Sequence, residues 1–251
     1  FGDVIATSTY TKIKEWIPMG NYHLNALASG DLFKGIPNNR SVALTGESGV
    51  GKSYILLNIC REAQKMGYHI MYFDSEGAID RETVEAFGVD PNKFDLQPVS
   101  ELGQFKTAIT TLCKKLMAAK REGRTTPKIL VGLDSMGMLS SEKEVNDAMT
   151  GNTAADFTRP KTIRSVFRLI TSDLTGLDIP FVYTNHTYAS IGMFPSINVS
   201  GGQGQVYSPS VMLNFTKAKL KSGDVQTGII LTAKPLKNRL AKPGEIKLFI
   251  D

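Results

Sequence analysis

The stretch Ser41-Val42-Ala43-Leu44-Thr45-Gly46-Glu47-Ser48-Gly49-Val50-Gly51-Lys52-Ser53 (SVALTGESGVGKS) decides the fold, because it joins a short apolar run to the pattern G-x-x-x-x-G-K-[ST]. Ser41 to Thr45 has the composition of a buried strand. From Lys52 to Met66 apolar residues recur at Ile55, Leu56, Ile59, Cys60, Ala63 and Met66, a helical spacing that Gly67 terminates. A glycine-rich turn between strand and helix lets consecutive backbone N–H groups point inward around phosphate oxygens at the helix N-terminus. In that frame Lys52 reaches the β and γ phosphates and Ser53 can ligate Mg²⁺. The expected ligand is a nucleoside triphosphate, with Glu47, Ser48, Gly49, Val50, Gly51, Lys52, Ser53 and Tyr54 as its expected contacts.

Outward from this unit, strand-like and helical stretches alternate. Tyr68 to Phe73, Lys128 to Leu133 and Ile179 to Thr184 read as strands. Between them, Asp80 can cap a short helix through Phe87 that Gly88 stops. Ser100 can cap a longer one in which Leu102, Phe105, Ile109, Leu112 and Leu116 step by three and four. Thr162 to Leu174 carries Ile163, Val166, Phe167 and Ile170 on one face. Such alternation predicts βαβ units, an α/β fold with a mostly parallel central sheet flanked by helices. The last quarter differs: Val211 to Leu220, Gly228 to Lys234 and Glu245 to Ile250 are strand-like, and Lys221-Ser222-Gly223-Asp224 is a turn between the first two. These predict antiparallel strands extending the same sheet. Ser140 to Arg159 and Thr187 to Pro209 lack a core pattern and follow strands, where ligands of such sheets bind, so both are expected to be functional loops.

The 251 residues are 41% hydrophobic and 21% charged, with 23 Gly and 11 Pro, a composition that supports a sizeable core and excludes disordered and collagen-like chains. No apolar run approaches the roughly 18 to 20 residues that span a bilayer, so no membrane partner is expected. Phe1 through Trp16 has no apolar core followed by small residues and does not read as a signal peptide. Cys60 and Cys113 lie inside apolar helical patterns, and His23, His69 and His186 are scattered singly, so neither a disulfide framework nor a zinc site is expected. A net charge of +5 suits a polyanionic partner without naming one.

A magnesium site beside a phosphate loop also needs an acid at the end of a neighbouring strand. Leu130-Val131-Gly132-Leu133-Asp134-Ser135 supplies Asp134, a Walker B pattern. Hydrolysis needs a group that orients or deprotonates water, and Tyr72-Phe73-Asp74-Ser75-Glu76 brings two carboxylates to the end of a strand. Glu76 is chosen over Asp74; the alternative is that both are solvated loop acids. In Thr187 to Pro209, Met193-Phe194-Pro195 precedes Gly201-Gly202-Gln203-Gly204, an apolar wedge beside backbone that can approach a phosphate chain closely. Phe194 reads equally well as a loop hydrophobe on the core. Arg159, Lys161 and Arg164 can supply phosphate charge, or form a solvated helix face.

Taken in order, the phosphate loop, Asp-Ser-Glu at 74–76, Leu-Asp-Ser at 133–135 and a strand ending in Thr184-Asn185-His186 resemble the RecA-type recombinases. YFDSEGAID, LDSMGMLSSEKE, TRPKTIRSVFRLIT, NHTY and KNRLAKPGEIKLFID are similar to segments of the bacteriophage UvsX branch of that family. The similarity runs from about Pro18 to Asp251. It implies a RecA-like ATPase core over 18–251, preceded by an N-terminal arm over 1–17 available for subunit contact. It also implies a DNA-dependent ATPase that uses ATP and Mg²⁺, binds single-stranded and double-stranded DNA and forms helical filaments of its own copies. Homologous pairing and strand exchange in recombination and repair follow, with mediator and single-strand-binding proteins as partners, in the cytoplasm of a host if the chain is phage-encoded.

By the same resemblance Glu76 activates water and His186 senses the γ-phosphate. Ser140 to Arg159 and Thr187 to Pro209 are the two DNA-binding loops, with Arg159, Arg164, Phe194, Gly201 and Gly202 as contacts. Lys237 and Arg239, in a basic turn before the last strand, reach the γ-phosphate held by a neighbouring subunit. There are departures. Thr83 stands where many bacterial members place a tyrosine against adenine, and Arg81 is the expected substitute. Much of the family's N-terminal helix and its large C-terminal region are missing. The alternatives are a helicase or KaiC-like ring ATPase of the same fold, or a mediator that binds ATP and DNA without turnover.

Overall fold

The computed structural model describes residues 11–151, 156, 158–189, 197–200 and 204–250. Two short strands, β1 (Trp16–Ile17) and β2 (Ile36–Pro37), pair antiparallel and bracket helix α1 (Tyr22–Ser29). That helix begins where the Asn21 side chain accepts hydrogen bonds from the amides of His23 and Leu24. It ends at Gly30, whose φ of 80° suits a residue without Cβ. Then follow β3 (Ser41–Gly46), α2 (Lys52–Lys65), β4 (Tyr68–Asp74), α3 (Arg81–Ala86), β5 (Phe94–Pro98), α4 (Leu102–Arg121) and β6 (Lys128–Asp134). After them come α5 (Glu142–Thr150), α6 (Arg159–Gly176), β7 (Phe181–Ala189), β8 (Ile197–Val199), α7 (Gly204–Tyr207), β9 (Val211–Ser222), β10 (Val225–Asn238) and β11 (Ile246–Ile250).

The main sheet runs β11-β10-β9-β3-β7-β6-β4-β5, with β8 paired to β7 off that path. From β9 to β5 neighbouring strands are parallel, while β9-β10, β10-β11 and β7-β8 are antiparallel. The expected α/β architecture, with antiparallel strands added by the C-terminal quarter, is thus the observed one. Side chains alternate across the sheet and feed two cores. Val42 and Leu44 of β3 join Leu24 and Leu27 of α1 and Leu56, Ile59 and Cys60 of α2 on one face; Ala43 faces Phe105 and Ile109 of α4 and Val166 and Phe167 of α6 on the other. Phe105, Phe167, Phe181 and Tyr183 form a ring cluster on that second face, with centroids 5.2–6.1 Å apart. At roughly 1.5–3 kcal/mol for each large apolar side chain taken fully out of water, two such layers secure the sheet on both sides.

Several boundaries differ from expectation. The cap of α4 is Glu101, not Ser100, and it makes no side-chain cap bond; instead the Leu102 amide donates to the Ser140 carbonyl at 3.0 Å. Ser140 to Arg159 is not a plain loop, since α5 occupies its first half and α6 already starts at Arg159. β7 continues through Ala189, so the second expected loop begins as strand. β10 is longer than expected and reaches Asn238, which puts Lys237 and Asn238 within a strand and only Arg239 beyond it. Ile17 is fully buried against the first core, and the Glu15 carboxylate accepts from Tyr68 and Lys128, while residues 1–10 of the expected arm lie outside the described residues.

Candidate active site

The phosphate loop grows from the carboxyl end of β3, which lies mid-sheet between β9 and β7. Gly46 is irreplaceable there: a Cβ would stand 2.4 Å from the Phe215 carbonyl oxygen and 2.9 Å from Val50. Val50 is buried and anchors the loop to the core; with Glu47, it is an expected contact whose side chain does not line the cavity above the loop. Ser48, Gly49, Gly51, Lys52, Ser53 and Tyr54 do line it, together with Glu76, Thr83, Asp134 and His186, around a volume of about 400 Å³.

Lys52 opens α2 and is only 6% exposed. Its ammonium donates to the Gly46 and Glu47 carbonyls at 3.0 and 2.7 Å. Burial pulls its pKa below the usual lysine value, while the charges of Asp134 and Glu76 act in the opposite direction. The register of β4 on β6 sets Asp74 beside Asp134. The two carboxylates nonetheless do different work. Asp74 accepts from the amides of Glu76, Gly77 and Ile79 at 2.9, 2.9 and 3.2 Å, which shapes the loop that carries Glu76. Asp134 accepts from the Tyr72 hydroxyl at 3.0 Å and from the Thr184 hydroxyl. Burial, then the charge of Asp134, pushes the Tyr72 phenol far up, so it stays protonated and donates. Gly132 leaves room for that ring: a Cβ would meet Tyr72 at 3.1 Å.

His186 is set opposite Gly46 by the β3–β7 register, and its Nε2 lies 3.2 Å from Oε1 of Glu76. The strand is pinned just beyond, where the Ser200 amide donates to the His186 carbonyl at 2.9 Å and Asn185 Nδ2 donates to the Ser200 carbonyl at 2.9 Å. Lysine, two carboxylates and histidine thus come from α2, β6, the loop after β4 and β7 to one cavity at the strand ends. For Mg²⁺ the donor chemistry fits: the Ser53 hydroxyl and the Asp134 carboxylate are hard oxygens, and the side-chain donors to Asp134 are the hydroxyls of Tyr72 and Thr184.

Other expected residues are placed elsewhere. Arg81 donates to Glu85 at 2.7 Å, is 79% exposed and does not line the cavity, so its expected role against adenine is not what the geometry offers. Arg159 donates to the Gly137 and Leu139 carbonyls and is held at the base of α5, whereas Arg164 is exposed on α6 with Lys161 and Arg168. Lys237 donates to the Val206 and Tyr207 carbonyls at 2.9 and 2.6 Å; burial and then the charge of Arg239 lower its pKa to about 8. Phe194, Gly201 and Gly202 lie outside the described residues. Sequence reasoning missed Tyr72, Thr184 and Lys217, whose ammonium donates to the Gly49 carbonyl at 2.9 Å. For the first two a signal existed, since Tyr72 lies near the carboxyl end of β4 and Thr184 closes the strand expected from the sequence, both beside Asp134; for Lys217 there was none.

Fold and cavity together define a P-loop protein with its site at the carboxyl ends of a mostly parallel sheet. The chain belongs to the RecA N-terminal domain family, whose model matches residues 4–249. It is similar to the "Recombination and repair protein" of Enterobacteria phage T4, 30% identical over 241 residues covering 95% of this chain and 58% of that protein. "Protein RecA" of Fusobacterium nucleatum is 26% identical over 233 residues, 91% of this chain and 57% of its own length. "Protein RecA" of Symbiobacterium thermophilum is 28% identical over 234 residues, 91% of this chain and 62% of its own length. The chain therefore spans about three fifths of the curated relatives it matches.

Proposed function

We propose that this chain is the ATPase core of a recombinase, which binds ATP with Mg²⁺, hydrolyses it in response to DNA, assembles with its own copies on single-stranded DNA and promotes pairing and exchange with a duplex. The observation that carries this reading is the meeting of Lys52, Asp134, Glu76 and His186 on one cavity in a chain of the RecA family. Loop amides and Lys52 hold the phosphates, and the buried lysine charge acts at full strength on charge that develops there. Ser53 and Asp134 hold Mg²⁺, which when bound neutralises phosphate charge. Glu76 orients the attacking water and takes its proton. His186, paired with that carboxylate, meets the terminal phosphate from the β7 side.

Lys237 and Arg239 complete the site of an adjacent copy, and residues 1–17 help to join copies. Arg164 and the loop holding Phe194, Gly201 and Gly202 contact DNA; mediator and single-strand-binding proteins act on the assembly in a host cytoplasm. No helix among the described residues is long and apolar enough to cross a membrane. Electron microscopy with long single-stranded DNA and a non-hydrolysable ATP analogue, paired with turnover assays with and without DNA, tests the proposal. Filaments and DNA-stimulated turnover are expected. Rings formed without DNA indicate the ring-ATPase alternative, and ligand binding without turnover indicates a mediator.

A further inference from the structure

The lining of the cavity is of two chemical kinds. Lys52, Ser53 and Asp134 are polar or charged, while Tyr54, Leu57, Ala78, Ile79 and Thr83 bring no charge. A triphosphate on the loop amides and Lys52 uses the first kind and leaves the second for the rest of the nucleotide. Tyr54 lies two residues beyond Lys52, in the opening turn of α2, and is 59% exposed, so much of its ring is open to a ligand in the cavity. Its centroid is 5.0 Å from that of Phe87, with the planes inclined at 32°. Phe87 closes α3 and packs partly buried against the first core, so it backs Tyr54 with a fixed surface. Aromatic pairs at such a distance attract one another beyond their area burial. A ring held from one side loses little freedom when a second flat partner covers the other.

We infer that Tyr54, braced by Phe87, is the platform on which the base of the bound nucleoside triphosphate stacks. Thr83 and Arg81 are not in a position to do this: Thr83 is small and Arg81 is paired with Glu85 away from the cavity. The platform joins α2, which carries the phosphate-binding lysine, to the end of α3, where Arg61 of α2 also donates to the Phe87 carbonyl at 3.5 Å. Stacking on a π-face is tolerant of base identity, so the platform confers affinity for nucleotides over bare polyphosphate more than choice among bases.

The inference rests on the nucleotide reading of the cavity, and the experiment separates the two. Calorimetric titration of ATP and of inorganic tripolyphosphate, each with Mg²⁺, is carried out on the parent chain and on Tyr54→Ala, Tyr54→Phe and Lys52→Ala. Stacking energies on the scale of 1–3 kcal/mol per base imply that Tyr54→Ala weakens ATP binding by about 5-fold to 150-fold. Tripolyphosphate affinity should stay within about twofold, and Tyr54→Phe should retain ATP binding, because it keeps the π-face. A Tyr54→Trp variant adds an optical readout: its indole emission should respond to ATP and not to tripolyphosphate. Equal losses of both ligands in Tyr54→Ala, or no loss of either, overturns the platform while leaving the phosphate site standing. If the parent chain binds neither ligand and Lys52→Ala changes nothing, the nucleotide reading falls and the platform with it.

Discussion

Lys52 keeps its ammonium beneath the surface by donating to two loop carbonyls, so it is poised on oxygen acceptors that phosphate oxygens can replace. Lys52→Ala is expected to abolish measurable ATP turnover. Glu76→Gln is expected to retain nucleotide binding while turnover drops by two or more orders of magnitude, on the order of what a positioned general base contributes. Steady-state turnover beside calorimetric ATP binding checks both, and an unchanged rate in Glu76→Gln removes its assignment. Lys237 yields a pH dependence. With its pKa lowered from 10.5 to about 8, the folded chain sheds this proton earlier than the unfolded chain does. The cost of holding the buried charge is fully present below about pH 8 and is relieved between there and 10.5, so this group's contribution to stability rises with pH in that window. Turnover that uses the charge moves the other way, declining once the ammonium loses its proton, at a pH that the neighbour's phosphate raises above the lone chain's value of about 8, and Lys237→Arg should hold its rate there because a guanidinium stays charged. A pH–rate profile of the two proteins on DNA reads this out. The choice of Glu76 over Asp74 was legible only as a choice between two acids; what separates them is that three backbone amides occupy Asp74, a fact of loop conformation that no spacing reveals.

Among the elements, β10 ends on a side chain that ties three segments together. Asn238 Nδ2 donates to the Leu27 and Ala28 carbonyls of α1, and its Oδ1 accepts from the amides of Leu240 and Ala241. Asn238→Ala strips partners from partly buried groups and is expected to cost about 1–3 kcal/mol. Because its neighbours in the chain are Lys237 and Arg239, the variant should also reduce DNA-dependent turnover more than ATP binding. Denaturant unfolding together with both assays tests this, and full stability refutes it. The strands β3, β4, β6 and β7 were readable as short apolar runs because helices cover both faces of the sheet, and helices α2, α4 and α6 because burial of one face imposes a period of 3.6. β5 escaped since most of its residues face solvent, and β1 and β2 are too short to show a period. α5 buries no residue, its few apolar positions Val145, Ala148 and Met149 lying outside either core, yet Ser141 and Glu144 form a capping box whose S-x-x-E spelling was present in the sequence.

At the scale of the whole molecule, the proposal requires that one copy complete the site of the next. Lys52→Ala has a dead loop and intact cations; Lys237→Ala with Arg239→Ala has the reverse. Mixed on single-stranded DNA, the two should recover part of the turnover each lacks, because some interfaces pair an intact site with intact cations. A mixture no more active than the sum of its parts, with co-assembly visible by microscopy, removes the role between subunits. DNA binding that depends on cations such as Arg164 releases counterions, so its affinity should fall steeply and linearly in log–log form as salt rises. Phe194→Ala should weaken it by roughly 1–3 kcal/mol if that ring stacks on bases. Salt-insensitive binding, or an unaffected Phe194→Ala, argues for the ring as a core hydrophobe.

The position of β3 has an outcome in time as well as in space. Flanked by β9 on one side and β7 on the other, with a helical layer over each face, it should hold amide hydrogens among the slowest in the chain to trade with deuterated water, because releasing them requires the middle of the sheet to come apart. The phosphate loop is suspended from that strand. A ligand gripped there slows exchange far from where it sits, since whatever it adds to the folded state must be overcome before the central ladder opens. Deuterium uptake along β3, followed with and without ATP, therefore times the opening of the whole sheet.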